Sequence, residues 1–588
     1  MCGIFGYNGA KGAPFKVKEG LKRLEYRGYD SWGVAALKNN RIDIYKRVGS
    51  IGEVNKIPLD EDSSIAIGHT RWATHGGVEN KNAHPHLSSD GSFALAHNGI
   101  VENFQELKQD LQSKGYEFST ETDTEVIVKL VEEHSNKNID FTEAVRKAFK
   151  DLKGRNTIIL LDATKSRIYA VRNGSPLVVG IKDDEIFIAS DTLSFSNETN
   201  QIIEVENNQM VEVNRGIKKL EVSNGDEVDY KIKKMNLEES RIDKEGHPHF
   251  MIKEIIEQKH TIRNATLYSY EELFPLINSI RQAEHVYTVG SGTAYFAASQ
   301  IAYILRRESQ LNVTEIKAYE ISSYRDLFKK NDVIIAVSQS GETADTIEAL
   351  EVAKQKDMTV ASIVNMIGST IGKMSDHLFL ARSGPEICVA ATKSFTAQVA
   401  WGYLVAYSLT NRFNRFQDKV DKLTTEIEKL FESGIVQDIG QLTKTLVKEE
   451  HFFVLGKGKN YNIALEGALK VKEISYKHFE GFASGELKHG VIALIEKGVP
   501  VFLIVSEDEN KEDMLSTASE VKSRGAYTIG IARNNNDLFD YFIKMPNLKQ
   551  LDPLINIIPF QILSYKLAVA LELNPDKPRN LAKSVTVK

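Results

Sequence analysis

The 588-residue sequence predicts an α/β and α+β protein, in which a domain of short strands precedes two copies of a doubly wound parallel-sheet unit. Three observations support this fold class. The chain is too long for one hydrophobic core. Its N-terminal part alternates short apolar runs with turn residues, which is typical of strands. Two later segments repeat the same order of β-run, G-x-G-x-x-Y motif and helix.

Composition narrows the functional class. The hydrophobic share of 42% and the charged share of 26% are those of an ordinary globular protein, and the net charge of -6 predicts no nucleic-acid-binding surface. The two cysteines, Cys2 and Cys388, exclude a disulfide scaffold and a cysteine zinc site. No apolar window approaches the about 20 residues of a membrane span, and no export signal is present. We therefore expect a cytoplasmic protein with no membrane partner.

The N-terminus places a cysteine directly after the initiator methionine. If Met1 is removed, Cys2 carries a thiol and a free α-amine on one carbon. An α-amine has a pKa of about 7.7–8.0, so near neutral pH it can accept the thiol proton and generate the thiolate nucleophile. The alternative is an ordinary buried cysteine. On the catalytic interpretation, one residue supplies both nucleophile and base.

Polar residues cluster after two predicted strands, residues 65–69 and 93–97. They are Arg71, Trp72, Thr74, His75, Asn98, Gly99 and Asp123. These groups suit an amino-acid amide substrate: Arg71 can hold its carboxylate, and Asp123 can pair with its ammonium. Asn98 and the backbone N–H of Gly99 can stabilise an oxyanion.

Each of these residues also has a structural alternative. Arg71 could be a surface charge, and Asp123 could cap a helix that begins near Thr124. Asn98-Gly99 is a common hairpin-turn dipeptide. The order of the motifs decides between these interpretations, because CGIFG, YRGYDS, HTRWATHG, HNG and ETDTE together resemble the glutaminase domain of class II amidotransferases. The resemblance implies an αββα Ntn-hydrolase fold that releases ammonia from glutamine.

The duplicated region carries one phosphate-binding motif. In the first copy, the residues between the second β-run and its helix are Ser338, Gln339, Ser340, Gly341, Glu342 and Thr343. Hydroxyls and helix N-terminal N–H groups suit an anion, although the same residues could form a capping box. The second copy has Ser506, Glu507, Asp508 and Glu509 there, and three carboxylates would repel phosphate. The G-x-G-x-x-Y runs lack the third glycine of a dinucleotide site.

The two copies resemble the SIS (sugar isomerase) family, which binds phosphosugars. An isomerising reaction needs groups that open the sugar ring, hold the ketone and shuttle a proton, and we expect His489, Lys583 and Glu473 in these roles. The alternatives are a loop histidine without function, a solvated tail lysine and a salt-bridged exposed helix face. That face would contain Glu466, Lys470 and Glu473, which are spaced i, i+4, i+7.

All motifs together resemble the isomerising glutamine–fructose-6-phosphate aminotransferase family over essentially the whole chain. The resemblance implies glutamine and fructose 6-phosphate as substrates, no metal or organic cofactor, and a homodimer. It implies that Lys583 holds the open ketose, Glu473 moves a proton, His489 opens the ring and Trp72 gates an ammonia channel. The implied phosphosugar-binding residues are Thr293, Ser338, Gln339, Ser340, Thr343 and Lys470.

One position departs from the family pattern. Ala294 follows Gly292-Thr293 where the family usually has a serine, so we expect the loss of one hydrogen bond to the sugar and weaker binding rather than a new reaction. The alternatives are a class II amidotransferase that transfers ammonia to another acceptor, and a regulator that senses phosphosugars. Motifs for asparagine or phosphoribosyl acceptors are not found. A sensor would lack Cys2, Glu473 or Lys583 and would carry a DNA-binding module.

The predicted domain order follows from these motifs. We expect a glutaminase domain over residues 1–238, a linker over 239–249, a first SIS domain over 250–430 and a second over 431–575. A tail over residues 576–588 is expected to complete the sugar site.

Overall fold

The computed structural model describes residues 2–52, 54–137, 139–214, 216–235 and 243–586. They form two compact units, Met1–Arg241 with Ala582–Lys588, and Ile242–Leu581. Met1 and residues 236–242, in which part of the predicted linker falls, lie outside the described residues. The tail from residue 582 groups with the first unit, and its predicted place at the sugar site stays a prediction.

In its described residues, the first unit has fourteen strands and four α-helices. Its strands are β1 (Gly3–Asn8), β2 (Ser31–Lys38), β3 (Arg41–Val48), β4 (Ile65–Arg71), β5 (His86–Leu87), β6 (Phe93–Gly99), β7 (Asn156–Asp162), β8 (Arg167–Asn173), β9 (Leu177–Lys182), β10 (Glu185–Ala189), β11 (Gln201–Val205), β12 (Gln209–Val213), β13 (Ile217–Glu221) and β14 (Lys233–Lys234). Its helices are α1 (Ala13–Arg23), α2 (Phe104–Ser113), α3 (Thr124–Ser135) and α4 (Phe141–Lys150).

These elements form four layers. One antiparallel sheet has the order β14-β11-β9-β10-β1-β4-β2-β3 and the other has the order β13-β12-β8-β7-β6-β5. Apolar side chains from both sheets form the core between them, including Ile4, Ile67 and Ile159. Helix α1 covers the outer face of the first sheet, and α2–α4 cover the second. The expected αββα fold is confirmed.

The second unit contains ten strands, in two groups of five. They are β15 (Val286–Gly290), β16 (Val313–Lys317), β17 (Val333–Ser338), β18 (Thr359–Val364), β19 (His377–Leu380), β20 (His451–Gly456), β21 (His478–Ala483), β22 (Pro500–Val505), β23 (Tyr527–Ala532) and β24 (Tyr541–Lys544). The first five form a parallel sheet of order β16-β15-β17-β18-β19, and the rest repeat it as β21-β20-β22-β23-β24. The duplication predicted from sequence is therefore confirmed in the strand order.

In the described part of this unit, thirteen α-helices accompany the sheets. They are α5 (Phe250–Ile256), α6 (Gln258–Ala265), α7 (Tyr270–Gln282), α8 (Thr293–Ser309), α9 (Ala344–Gln355), α10 (Thr370–Met374), α11 (Lys393–Leu409), α12 (Phe413–Glu432), α13 (Ile435–Leu446), α14 (Tyr461–Ser475), α15 (Lys511–Ser523), α16 (Asp552–Asn556) and α17 (Ile558–Ala570). One core contains residues of both sheets and of α8, α11, α14 and α17. The boundary predicted between residues 430 and 431 falls inside α12.

One helical stretch in the described chain, Lys549–Ala570, is long and apolar enough to cross a bilayer. The expectation that no window approaches that length is therefore wrong. Its apolar window has a mean hydropathy of 1.3, and 83% of it is buried inside the protein. Helix α17 is apolar on all sides because it packs within the core of the second unit.

Candidate active sites

Cys2 lies at the start of β1, beside the end of β4. These two strands pair antiparallel with Gly3 opposite Thr70, so the backbone of Trp72 lies next to the cysteine side chain. The N–H of Trp72 donates to Cys2 Sγ at 3.3 Å. Burial raises the pKa of the Cys2 thiol, whereas the chain amine, the Trp72 N–H and Arg71 lower it. The surroundings thus already contain groups that favour a thiolate, although burial opposes it.

Asn98 is held by a chain of hydrogen bonds that leads back to β1. Its amide nitrogen donates to Ser190 Oγ at 2.9 Å, and that oxygen also accepts the Ile4 N–H at 2.9 Å. Its amide oxygen accepts from His69 Nε2 at 3.1 Å. Asn98 is 1% exposed. Ser190 therefore holds both Asn98 and β1, the strand that begins directly after Cys2. The sequence indicates this role by no more than a polar residue after a β-run.

The turn alternative for Asn98-Gly99 is wrong. Both residues lie in β6, where they pair with Thr157 and Asn156. Strands β4 and β6 extend two residues beyond their predicted ends, so Arg71, Asn98 and Gly99 belong to strands rather than to the loops after them. Gly99 has a φ of 142° and its added Cβ would lie 2.3 Å from a backbone oxygen, so only glycine fits there.

Arg71 is a buried residue rather than a surface charge, at 3% exposure. Its terminal nitrogens donate to backbone oxygens of His75, Gly76 and Gly77, with Nη1 to Gly77 at 3.1 Å. The carbonyls of the loop after β4 accept from both terminal nitrogens, and the expected contact of Arg71 with a substrate carboxylate stays a prediction. Arg71 thereby fixes the loop that carries Thr74, which is exposed, and His75, which packs against Phe104.

Asp123 precedes helix α3 but does not cap it through its side chain. Its Oδ2 instead accepts the N–H of Val101 at 2.8 Å, and the residue is buried. The capping alternative is therefore wrong. The bond ties the start of α3 to the chain just after β6, and so brings the Asp123 carboxylate to the side of the sheet where Asn98 and Gly99 lie.

Four buried histidines surround this region, and we call them the histidine cluster: His69, His84, His86 and His97. The rings of His69 and His84 lie 4.3 Å apart between centroids. Burial lowers the pKa of His69 to about 3 and lowers the pKa values of the other three as well. The cluster is therefore neutral near pH 7.

In the second unit, the serine-rich loop joins β17 to α9. Ser338 Oγ accepts the N–H of Gly341 at 3.0 Å and lies 3.4 Å from Thr343 Oγ1. Thr343 is the N-cap residue and its side chain does not cap the helix, so the capping-box alternative is wrong. Gly341 has a φ of 64°, and a Cβ there would meet Ser369 Oγ at 2.2 Å. Ser338, Gln339, Ser340 and Thr343 thus share one tight loop at a helix N-terminus.

The carboxylate of Glu342 fixes this loop to the next one. It accepts from the backbone N–H and the side-chain hydroxyl of Thr370, both at 2.8 Å. Within the described residues, the buried Ser369 Oγ has no hydrogen-bond partner. The contacts of Glu342 could not be predicted from sequence, because Thr370 lies far from the serine-rich loop along the chain.

Charged side chains of helix α14 form a buried network with Thr293, the first residue of α8. Lys470 Nζ lies 2.6 Å from Glu473 and 3.4 Å from Glu466, and it donates to Thr293 Oγ1 at 2.8 Å. Glu466 and Lys470 are both 0% exposed, so the exposed-face alternative is wrong. Strands β15 and β17 are parallel neighbours, so Thr293 and the serine-rich loop follow carboxyl ends at the same edge of the sheet.

The proton state of the network follows from burial. Burial raises the pKa of Glu466 to about 8, against the opposing effect of the Lys470 charge. Burial also opposes a charged Lys470, but the neighbouring carboxyl groups raise its pKa above the usual value. The raised pKa favours the protonated form of Glu466 near pH 7, and its Oε2 has no partner in the described chain.

The structure places the remaining predicted residues as follows. His489 is exposed at the end of a short 3-10 helix, Glu486–His489. Lys583 is partly exposed in the tail that groups with the first unit. Thr586, three residues on, is buried and lies 3.0 Å from Ser175 Oγ. Ala294 packs against the core of the second unit.

The fold and these sites define a class of protein: an Ntn-type glutamine amidotransferase domain joined to paired sugar isomerase domains. Family comparison agrees, since a glutamine amidotransferase domain matches residues 69–197 and a SIS domain matches residues 279–408 and 445–571. The chain belongs to the isomerising glutamine–fructose-6-phosphate aminotransferase family.

Full-length relatives support this assignment. The glutamine–fructose-6-phosphate aminotransferases of Pyrococcus horikoshii and Bacteroides thetaiotaomicron are each 39% identical, with all of both chains covered. The C-terminal domain of the Francisella tularensis glucosamine-fructose-6-phosphate aminotransferase has a similar structure. It has a TM-score of 0.54 at 30% identity and covers 57% of this chain and 100% of its own.

Proposed function

We propose that the protein converts glutamine and fructose 6-phosphate into glutamate and glucosamine 6-phosphate. The observation that carries this proposal is full-length similarity to aminotransferases of that name, in a chain that contains both sites described above. In this reaction the amide nitrogen leaves glutamine as ammonia and is added to C2 of the sugar. The carbonyl moves from C2 to C1.

At the first site, Cys2 acts as the nucleophile after Met1 is removed, and its own α-amine accepts the thiol proton. The thiolate forms a thioester with the glutamine side chain and expels ammonia, and water then releases glutamate. Asn98 and the Gly99 N–H stabilise the oxyanion. Arg71 supports binding through the loop of Thr74 and His75, and Asp123 pairs with the substrate ammonium. Trp72, which contacts Cys2, gates the passage of ammonia.

At the second site, the loop of Ser338, Gln339, Ser340 and Thr343 holds the phosphate, and His489 opens the sugar ring. Lys583 forms a Schiff base at C2 with loss of water, and ammonia then displaces the lysine. Glu473 takes the proton from C1 and returns it at C2. Its contact with Lys470, whose side chain is buried, fixes the carboxylate that moves this proton.

The proposal includes a cytoplasmic homodimer. Both cysteines are free thiols, which suits a reducing compartment. SIS folds commonly pair, and light scattering of the purified protein should then give twice the mass of one chain.

The test is incubation of the purified protein with fructose 6-phosphate and glutamine labelled with ¹⁵N at the amide, with mass detection of the products. Glucosamine 6-phosphate should carry the label. Cys2→Ala should abolish labelled product, whereas Cys388→Ala, at the other free thiol, should not. Lys583→Ala should lose the amino sugar and keep some glutamine hydrolysis. Labelled product at the parental rate from Cys2→Ala would refute the assigned nucleophile.

A further inference from the structure

A second cavity lies in the unit that contains the two parallel sheets. Its volume is about 330 Å³, within the range of small-molecule sites. One wall is formed by α8 and α11, through Tyr303, Arg307 and Tyr403. The opposite wall contains Lys459, the acidic loop Glu507–Glu509 after β22, and residues Asn547–Gln550 after β24. None of the side chains assigned above to the proposed reaction lines it.

The duplication places this cavity at the counterpart of the proposed phosphosugar site. Its loops follow the carboxyl ends of β20, β22 and β24, as the loop of Ser338 follows β17 in the first sheet. Helix α8 faces it as α14 faces the first site. Counted from the tyrosine of each G-x-G-x-x-Y motif, Arg307 of α8 and Glu473 of α14 occupy the same position, twelve residues on. Doubly wound sheets bind ligands at this edge.

The charged residues differ between the two counterparts. Lys459 stands where the first copy has Thr293, and it pairs with Asp508 at 3.1 Å and Asp552 at 2.8 Å. Arg307 stands where α14 has Glu473, and it pairs with Glu509 at 2.7 Å. The hydroxyls of the phosphate-binding loop are replaced by carboxylates. The carboxylates of the loop after β22 therefore repel a phosphate group in this cavity.

The carboxylates keep acceptor capacity. Glu507 pairs with Lys511 through Oε2 at 2.9 Å, and its Oε1 accepts from the Asn534 amide at 3.4 Å; Glu509 pairs with Arg307 through Oε1 at 2.7 Å. A carboxylate offers about four lone-pair sites, so each can accept further hydrogen bonds. The Arg307–Glu509 pair has side chains that are 62% and 60% exposed, so a ligand can reach it.

We propose that this second cavity binds an amino sugar, with its ammonium and neighbouring hydroxyls donating to Glu507 and Glu509. A ligand rich in donors fits the spare acceptor oxygens, and a compact ring fits the volume and the two tyrosines. A polycation is disfavoured because Arg307, Lys459 and Lys549 line the same cavity. The proposal goes beyond the proposed reaction, since it concerns a different pocket, and the product of that reaction is itself an amino sugar.

The test is calorimetric titration of the full-length protein with glucosamine and with glucose, near pH 7. We expect glucosamine to bind about tenfold or more tightly than glucose, because a charged hydrogen bond is lost with the ammonium. The double variant Glu507→Gln/Glu509→Gln should weaken glucosamine binding by about tenfold or more. Glu512→Gln, an exposed acid on α15 outside the cavity, is the matched control and should bind as the parent does.

A second variant, Ser340→Ala, distinguishes binding at the second cavity from binding at the phosphosugar site, because it alters only the serine-rich loop. Glucosamine binding should persist in it. The proposal is overturned if binding is lost in Ser340→Ala but kept in the double variant, if glucose binds as tightly as glucosamine, or if no binding is detected. Circular dichroism checks that the double variant folds, and the single variant Glu507→Gln replaces it if it does not. None of these readouts requires turnover, so failure of the proposed reaction would be seen separately.

Discussion

Replacing Glu466 by glutamine should remove a pH dependence of stability from the second unit. Burial raises the pKa of Glu466 to about 8, far above the 4.3 or so of an unfolded glutamate. Between these two values the folded carboxyl holds a proton that the unfolded one releases. The stability of the parent therefore falls as pH rises through this window.

The magnitude follows from linkage. One proton difference changes the free energy of unfolding by about 1.4 kcal/mol per pH unit, so the parent should lose about 3 kcal/mol between about pH 5 and pH 7.5 through this group alone. Glutamine keeps the shape of the protonated acid and cannot ionise. Glu466→Gln should therefore lack this share of the decline.

Native-state hydrogen exchange of peptides from α14, compared at several pH values, measures the effect. Glu449→Gln, an exposed glutamate before β20, serves as the control and should decline with pH like the parent. If Glu466→Gln loses protection with rising pH as steeply as the parent, Glu466 is ionised in the folded protein and the reasoning fails.

Three further outcomes are expected. The first unit should lose stability as pH falls below about 6.5, because the buried rings of the histidine cluster have lowered pKa values. The loss is up to about 1.4 kcal/mol per pH unit for each of these histidines. Hydrogen exchange of β4 and β6 peptides should show this loss of stability, and unchanged protection at about pH 5 would contradict the prediction. Ser190→Ala should reduce glutamine hydrolysis about tenfold by freeing Asn98, while ammonia-dependent synthesis continues, and equal loss of both would argue against this role. Gly341→Ala should raise the KM for fructose 6-phosphate about tenfold or more, because its φ is positive and its Cβ meets Ser369; a parental KM would rule out this crowding.

The sequence by itself determined the fold class and the family, and it predicts the reactive residues. Local patterns carry that information: the apolar runs of the strands, the order of the N-terminal motifs, and the repeated β-run, glycine loop and helix. The predicted parallel duplication is confirmed because a period of alternating strands and helices has few compatible topologies. The family resemblance found in the motifs is likewise confirmed over the full chain.

Tertiary structure alone decided how these residues are used locally. Asn98 reaches Ser190 and Asp123 accepts from Val101 across long stretches of sequence, and Arg71 holds its own loop, because the fold brings these groups together. Burial of Glu466 and Lys470 could not be inferred from helical spacing, since an exposed charged face has the same spacing. The second cavity, with its own charged lining, likewise exists only where α8 packs over the ends of the second sheet. A cavity is a property of the packing between elements rather than of any one segment.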